Sequence, residues 1–291
     1  MSCYQFIAAE QALHSVALVC RVLGVARSAF YAWLHHQPSA RQQRDGVLTE
    51  RIREVHAASH GTYGSPRIHA ALRQRGERTS RKRVARLMRV AGLRGRAPRR
   101  FRVTTMPDPT APTEDLVQRQ FAAPAPDRTW FVDITAIRTW EGWLYLAVVL
   151  DAYSRKVVGW ALAEHLRTEL ATAAVHMALI RRRPPPGLIH HGDRGGQYLS
   201  RAYRAVLAQH QVRQSVGRPG TCFDNAACER FFATLKQELI YRHVWPTRQA
   251  ARTAIFAFVE GFYNRSRLHS ALAFRSPERV EEEYRTLTAA A

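Results

Sequence analysis

The sequence predicts a mixed α/β domain, a five-stranded sheet flanked by helices, preceded by an all-α, helix-turn-helix-like region. Three observations lead to that class. Residues 12–92 carry helical periodicity interrupted by glycines. Residues 96–128 are Pro-rich and lack sustained periodicity, which marks a linker. Beyond it come three extended segments, a helix, two more short extended segments and a run of helices. The 291 residues allow one large domain or two to three smaller ones.

Charge narrows the possible partners. There are 44 Lys and Arg against 23 Asp and Glu, a net charge of +21. Residues 1–110 hold 20 of the basic residues and only 6 of the acidic ones. Arginine dominates, and its planar fork suits phosphate. A solvated basic surface is the alternative, but so uneven an excess points to a polyanion, DNA or RNA. No apolar run approaches 18 residues, so no membrane span is expected. The N-terminus lacks a basic stretch ahead of its short apolar one, so no signal peptide is expected. The four cysteines, Cys3, Cys20, Cys222 and Cys228, form neither a disulfide framework nor a zinc spacing. A reducing, cytoplasmic setting follows.

In chain order, "SVALVCRVLGVARSAFYAWL" has an apolar face (Val16, Val19, Leu23), a break at Gly24 and a second short helix with Phe30 and Trp33. That is the outline of a helix-turn-helix or of a plain helical hairpin. Residues 46–58 form another helix. Ser65 followed by Pro66 starts the next, which Gly76 ends. Thr79 or Ser80 caps a helix that stops at Gly92. Its apolar positions Val84, Leu87, Met88 and Ala91 share one face, and Arg81, Lys82, Arg83, Arg86 and Arg89 largely occupy the rest. Such a helix suits phosphate tracking or groove entry.

Past the linker, "TWFVDITAI" alternates and reads as a strand. "GWLYLAVVL" is nearly all apolar, as in a strand covered on both faces. "DAYSR" turns the chain, and "KVVGWALA" completes an antiparallel meander. Residues 168–183 are an amphipathic crossover helix, which makes the fourth strand, "GLIHH", parallel to the first. A helix at about 200–210, a short strand near "VRQSV", a strong helix at 225–240 and further helices at up to 264 and near 277–287 complete the chain. Trp130, Trp143 and Trp160 are expected in the core. No internal repeat is visible. The expected division is 1–45 (helix-turn-helix-like), 46–100 (basic, helical), 101–127 (linker), 128–240 (α/β core) and 241–291 (helical extension).

The candidate chemistry lies in acids far apart in the chain. Asp133 sits mid-strand, and Asp193 follows the parallel strand; sheets of this kind build sites at the carboxyl ends of their strands. Glu229 on the 225–240 helix can supply a third carboxylate, 35 residues separating it from Asp193. Two Mg²⁺ ions held by carboxylates can activate an attacking oxygen and stabilise a leaving one in phosphodiester chemistry. Lys236, two helical turns past Glu229 on the same face, brings a cation that can hold a phosphate. Other groups carry two readings. Asp151 and Asp224 suit a turn and a helix cap, and Glu238 a solvated helix end. His190 and His191 close a strand or serve the site. Asn225 orients a ligand or substrate phosphate, or does neither. Arg265, Arg267 and His269 contact DNA or form a solvated turn.

Asp133, Asp193 and Glu229 at this spacing resemble the DDE core of retroviral integrases and bacterial transposases. "TWFVDIT", "HHGDRGGQY", "GRPGTCFDNAACERFFATLKQEL" and "FYNRSRLHSALAFRSPE" are similar to the integrase-type, second-frame transposases of bacterial insertion sequences of family three. "HGTYGSPRI", with Arg67, resembles the DNA-binding segment before the core in that family, so Arg67 joins the DNA-contacting set. Cys222 and Phe223 depart from the Pro and Tyr common there. The resemblance implies an RNase H-like core and a Mg²⁺-dependent enzyme, Mn²⁺ substituting. It further implies cleavage at the ends of an element followed by strand transfer, without a covalent enzyme–DNA intermediate. The implied partners are double-stranded DNA (terminal inverted repeats and target), further copies of the chain on paired ends, and an upstream-frame protein or frameshift fusion. A nucleoid-associated location follows. A nuclease of the same fold would cut without joining, and a non-catalytic DNA-binding regulator would need only the first 110 residues.

Overall fold

A computed structural model describes residues 2–35, 37, 39–96, 115–117, 122–217 and 225–290. Most of the expected linker, with Cys222, Phe223 and Asp224, lies outside the described residues. The chain divides into two compact units, Met1–Glu54 and Val55–Ala291.

In the first unit, α1 (Cys3–Glu10), α2 (Val16–Val22) and α3 (Arg27–Leu34) pack around Ile7, Val19, Cys20 and Phe30. Gly24, at φ +64°, makes the turn that bends α3 away from α2 by 116°. The sequence reading missed α1, which a reciprocal Ser2–Gln5 capping box starts. It also placed the start of α4 (Ala40–Ala58) too late. Ser39 and Gln42 cap each other there in the same way, Ser39 Oγ accepting from Gln42 N at 3.2 Å.

The second unit begins with α5 (Ser65–Gln74) and α6 (Arg81–Val90). Pro66 occupies the first turn of α5, and Ser80 Oγ accepts from Arg83 N to cap α6. Val84, Leu87 and Met88 face inward from α6.

The sheet comprises β1 (Thr129–Thr139), β2 (Gly142–Asp151), β3 (Val157–Ala163), β4 (Ile189–Gly192) and β5 (Arg213–Val216), in the order β3-β2-β1-β4-β5. The first three form the antiparallel meander; β4 joins β1 in parallel, and β5 joins β4 in parallel. β1, with the longest ladder, is therefore central. Helix α7 (Thr168–Arg182) makes the crossover and buries Leu170, Ala171, Ala174, Val175, Ala178 and Leu179. Those side chains share a core with Trp130 and Val132 of β1. A short helix α8 (Gly196–Leu199), absent from the sequence reading, precedes α9 (Arg201–Gln209). α10 (Ala226–Glu238) packs on β1. α11 (Arg248–Phe256) runs into a π-helical turn, Ala257–Tyr263, and α12 (Pro277–Ala289) ends the described chain. Trp130 is buried, but Trp143 is 48% exposed, contrary to the core position expected of it.

Candidate active site

The alternation of β1 decides what the site sees. Trp130 and Val132 point into the α7 core, so Phe131 and Asp133 occupy the opposite face. Phe131 meets His191 of β4 edge to face, ring centroids 5.8 Å apart. The β1–β4 ladder pairs Phe131 with His191, its last rung. Asp133 lies two residues past that rung on β1, and Asp193 two residues past it on the chain leaving β4, near enough for the charge of Asp193 to act on Asp133.

The ladder ends at that rung. The carbonyls of Arg128 and Thr129 serve opposite neighbours, accepting from Ile189 N and Ala152 N respectively. By alternation the Val132 carbonyl faces β4. There it accepts not from a strand amide but from Asn225 Nδ2, at 2.8 Å. Asn225, one turn before Glu229, is thus held against β1 at the residue before Asp133. It is 8% exposed, and its Oδ1 has no hydrogen-bond partner among the described residues.

Each aspartate is tied to its own backbone. Asp133 Oδ1 accepts from Ile134 N at 2.8 Å, and Asp193 Oδ1 accepts from Gly195 N at 3.0 Å. A Cβ on Gly195 would come within 2.9 Å of that same Oδ1, so a glycine suits the close turn. Burial pushes the Asp133 carboxyl up to about 8; the negative charges of Asp193 and, more weakly, Glu229 add to the rise, while Ile134 N and Lys236 oppose it. Asp193 is raised by burial and eased by the Gly195 amide, so the mutual repulsion falls on Asp133, the more enclosed of the two. Glu229 is raised by burial. Lys236 is lowered by burial and held up by Asp133. The four side chains thus share one electrostatic neighbourhood. Among the described residues no three His, Cys, Asp or Glu side chains stand at ion-holding spacing. The donor set itself, three carboxylates, is the hard-oxygen chemistry that Mg²⁺ takes.

The histidines of "HHGDRGG" do not reach this neighbourhood. His190 Nε2 pairs with the Tyr203 hydroxyl at 2.7 Å on the α7 face, and His191 Nδ1 pairs with Ser215 Oγ at 2.8 Å. Asp151 makes the "DAYSR" turn, its Oδ1 accepting from Tyr153 N and Ser154 N.

Several expected DNA contacts are corrected. Arg67 is turned into the protein: its Nε donates to the Leu268 carbonyl at 3.0 Å, and its guanidinium lies 3.8 Å from Glu238 Oε1. Glu238 is 6% exposed, not solvated, because Arg267 grips both of its oxygens. His269 is driven well below its ordinary range by burial and by the charges of Arg267, Arg67 and Arg155. Tyr63 completes the cluster, its hydroxyl accepting from Leu268 N at 2.7 Å. The two motifs "GTYGSPR" and "NRSRLHS" therefore dock on each other, a pairing that neither stretch reveals alone. By contrast Arg81, Lys82, Arg86, Arg89 and Arg265 are exposed, and Arg83 is half-buried.

The mixed five-stranded sheet, with helix α10 packed on its central strand, is the setting of Asp133, Asp193 and Glu229, and the family comparisons identify it as the integrase core of a polynucleotidyl transferase. Models of the integrase core domain match residues 123–222 and 210–277, and a model of an HTH-like domain matches residues 42–101. The chain is 40% identical over 274 residues to the 31 kDa protein of insertion element IS600 from Shigella sonnei, covering 93% of this chain and 100% of that one. It is 41% identical over 283 residues to the transposase InsF of insertion sequence IS3A from Escherichia coli (strain K12), covering 96% and 98%. The HTLV-2 integrase catalytic core in complex with magnesium aligns at TM-score 0.44 and 16% identity, over 55% of this chain and 99% of that one. The chain belongs to the IS3 transposase family. It is a DNA-binding transposase of the DDE class, and among its described residues no single helix is long and apolar enough to cross a membrane.

Proposed function

We propose that Asp133, Asp193 and Glu229 hold two Mg²⁺ ions, with Mn²⁺ as a working substitute, and that the chain cuts the ends of its element and joins them to target DNA. The reading rests on one observation: Asp133 on β1 and Asp193 just past the end of the parallel strand β4 lie in one charge field with the Glu229 carboxylate of α10. Bound cations would ease ionisation of the attacking oxygen and stabilise charge on the leaving one. The protein's own groups do the rest. The backbone amides of Ile134 and Gly195 orient the two aspartates. Lys236, partly buried beside Asp133, supplies positive charge for a phosphate held at the site. Arg81, Lys82, Arg83, Arg86 and Arg89 on α6, with Arg265, bind the phosphate backbone and set the register of the duplex. Water attacks first at the element end, and the freed 3′-hydroxyl then attacks a target phosphodiester in line.

In this scheme residues 46–100 engage DNA, 128–240 carry the chemistry and 241–291 brace the core. The initial 1–45 segment and the 101–127 linker precede each of the first two. Copies of the chain assemble on paired inverted repeats in the cytoplasm, at the nucleoid, alone or with an upstream-frame partner.

The test is a labelled duplex carrying the flanking inverted repeats, incubated with Mg²⁺. Wild-type protein yields nicked and joined products. Asp193→Asn abolishes both, while its affinity for the duplex in EDTA stays within about twofold of wild type. Cleavage retained by the variant refutes the ligand assignment, and nicking without joining replaces the transposase chemistry with that of a nuclease.

A further inference from the structure

Asn225 carries more information than its place on α10. An amide side chain has a donor end and an acceptor end, and at ordinary precision the two are told apart only by their partners. Here the partner is decisive. The Val132 carbonyl is an acceptor, so the group 2.8 Å from it is Nδ2, and the other end is the carbonyl oxygen Oδ1. That oxygen is buried without a partner in a residue 8% exposed, whose other end is held by the residue before Asp133. A buried acceptor without a donor costs about 1–3 kcal/mol, so an unmet Oδ1 calls for a donor that arrives with a ligand. A DNA phosphate is not such a donor, because its ionised oxygens only accept. A cation-held water is one: its hydrogens point outward, away from the ion.

We propose that Asn225 is a positioning residue of the cation site, its Oδ1 accepting a hydrogen bond from a water of the bound divalent cation, and that it is not a phosphate contact. Three features give it that role. Nδ2 is anchored on the residue preceding Asp133, so the amide cannot swing. Glu229 lies one helical turn further along α10, on the same side. The position is set by the end of the β1–β4 ladder at Phe131 and His191, just before the two aspartates. The inference rests on the three-acid reading of the site.

The test uses DNA-free, full-length protein titrated with MnCl₂, with the melting midpoint as readout, beside duplex binding measured in EDTA. Asn225→Leu keeps the heavy-atom count and the branching but removes both polar ends. It lowers the metal-free midpoint through the orphaned Val132 carbonyl and weakens apparent Mn²⁺ affinity by roughly tenfold. Asn225→Asp also loses the Nδ2 bond to Val132, and so lowers the metal-free midpoint too, but it keeps an acceptor oxygen and adds charge, so Mn²⁺ affinity is held or tightened. Neither variant changes duplex affinity in EDTA by more than about twofold. Wild-type Mn²⁺ affinity in Asn225→Leu, or a tenfold loss in Asn225→Asp, overturns the proposal. A loss of duplex binding in EDTA with Mn²⁺ affinity intact makes Asn225 a phosphate contact instead. Asp193→Asn is the control that separates the two levels: if it leaves the Mn²⁺ response untouched, the acid site itself fails. If it abolishes a response that Asn225→Leu retains, only the Asn225 inference fails.

Discussion

Arg267 grips Glu238 with two prongs, Nε to Oε2 at 2.8 Å and the terminal amine to Oε1 at 2.6 Å. The side chains are 4% and 5% exposed. Fork-to-carboxylate geometry of this kind offsets the desolvation of both charges, but only while both are present. Arg267→Ala is expected to destabilise the protein by about 3–5 kcal/mol in urea denaturation, since it strands a buried carboxylate. Replacing both residues by leucine should recover most of that loss. A double variant no more stable than the single one would show that the pair itself, and not the abandoned charge, carries the stability.

Glycines test packing from both directions. On β3, a Cβ at Gly159 would lie 2.3 Å from the Ala174 carbonyl oxygen and 2.8 Å from the Ala178 nitrogen, both backbone atoms of α7. Neither can withdraw without moving the helix, so Gly159→Ala should cost about 3 kcal/mol or more. Gly46, inside α4, meets nothing within 4 Å. Gly46→Ala should therefore gain about 0.5–1 kcal/mol from helix propensity alone. Equal effects from the two substitutions, measured by denaturation, would contradict the close approach of β3 to α7.

His190 gives the fold a sensitivity to acid. Burial, at 1% exposure, drives its pKa down to about 3 from 6.5. The unfolded chain therefore binds the extra proton first. The stability this group contributes is complete above about pH 6.5 and drains away as pH falls toward 3. Between about pH 8 and pH 5 the loss is about 2 kcal/mol, at 1.36 kcal/mol per unit. Asp133, raised to about 8, tilts stability the opposite way over much of the same range, so the measurement must be a difference. His190→Gln should flatten its share of the slope, whatever constant packing loss it carries. A slope identical to wild type would remove His190 from the account.

Much of this was readable in the chain because one face of each element is fully committed. The run from Trp130 to Ile137, the apolar 142–150 segment and the crossover helix follow from periodicity, and their order alone makes β4 parallel to β1. The two missed helix starts, at Ser2 and Ser39, carry the Ser-x-x-Gln capping signature, but the apolar run behind the first, Phe6 to Ala9, is only four residues long and none directly follows the second. The fates of Arg67, Glu238, Arg267 and His269 were not readable. Charged residues default to the surface, and these are buried only because segments about 200 residues apart meet. Asn225 was legible as a polar group near Glu229, but its bond to Val132 depends on where a ladder stops.

The exposed cations of α6 offer a quantitative test of the DNA-binding assignment. Arg81, Lys82 and Arg89 are exposed on the helix, while Val84, Leu87 and Met88 hold its other face in the core. If each cation neutralises one phosphate, replacing all three by alanine releases fewer counterions on binding. The slope of log affinity against log salt should then fall in magnitude by roughly 2–3, at about 0.9 per contact, with little dependence on the sequence of the duplex. Because the substituted side chains point to solvent, the melting midpoint should stay nearly constant, which separates lost contacts from lost fold. Fluorescence anisotropy across a salt series measures the slope. An unchanged slope with weakened binding would move the phosphate-tracking surface off α6, and a loss confined to one duplex sequence would make α6 a base-reading helix instead.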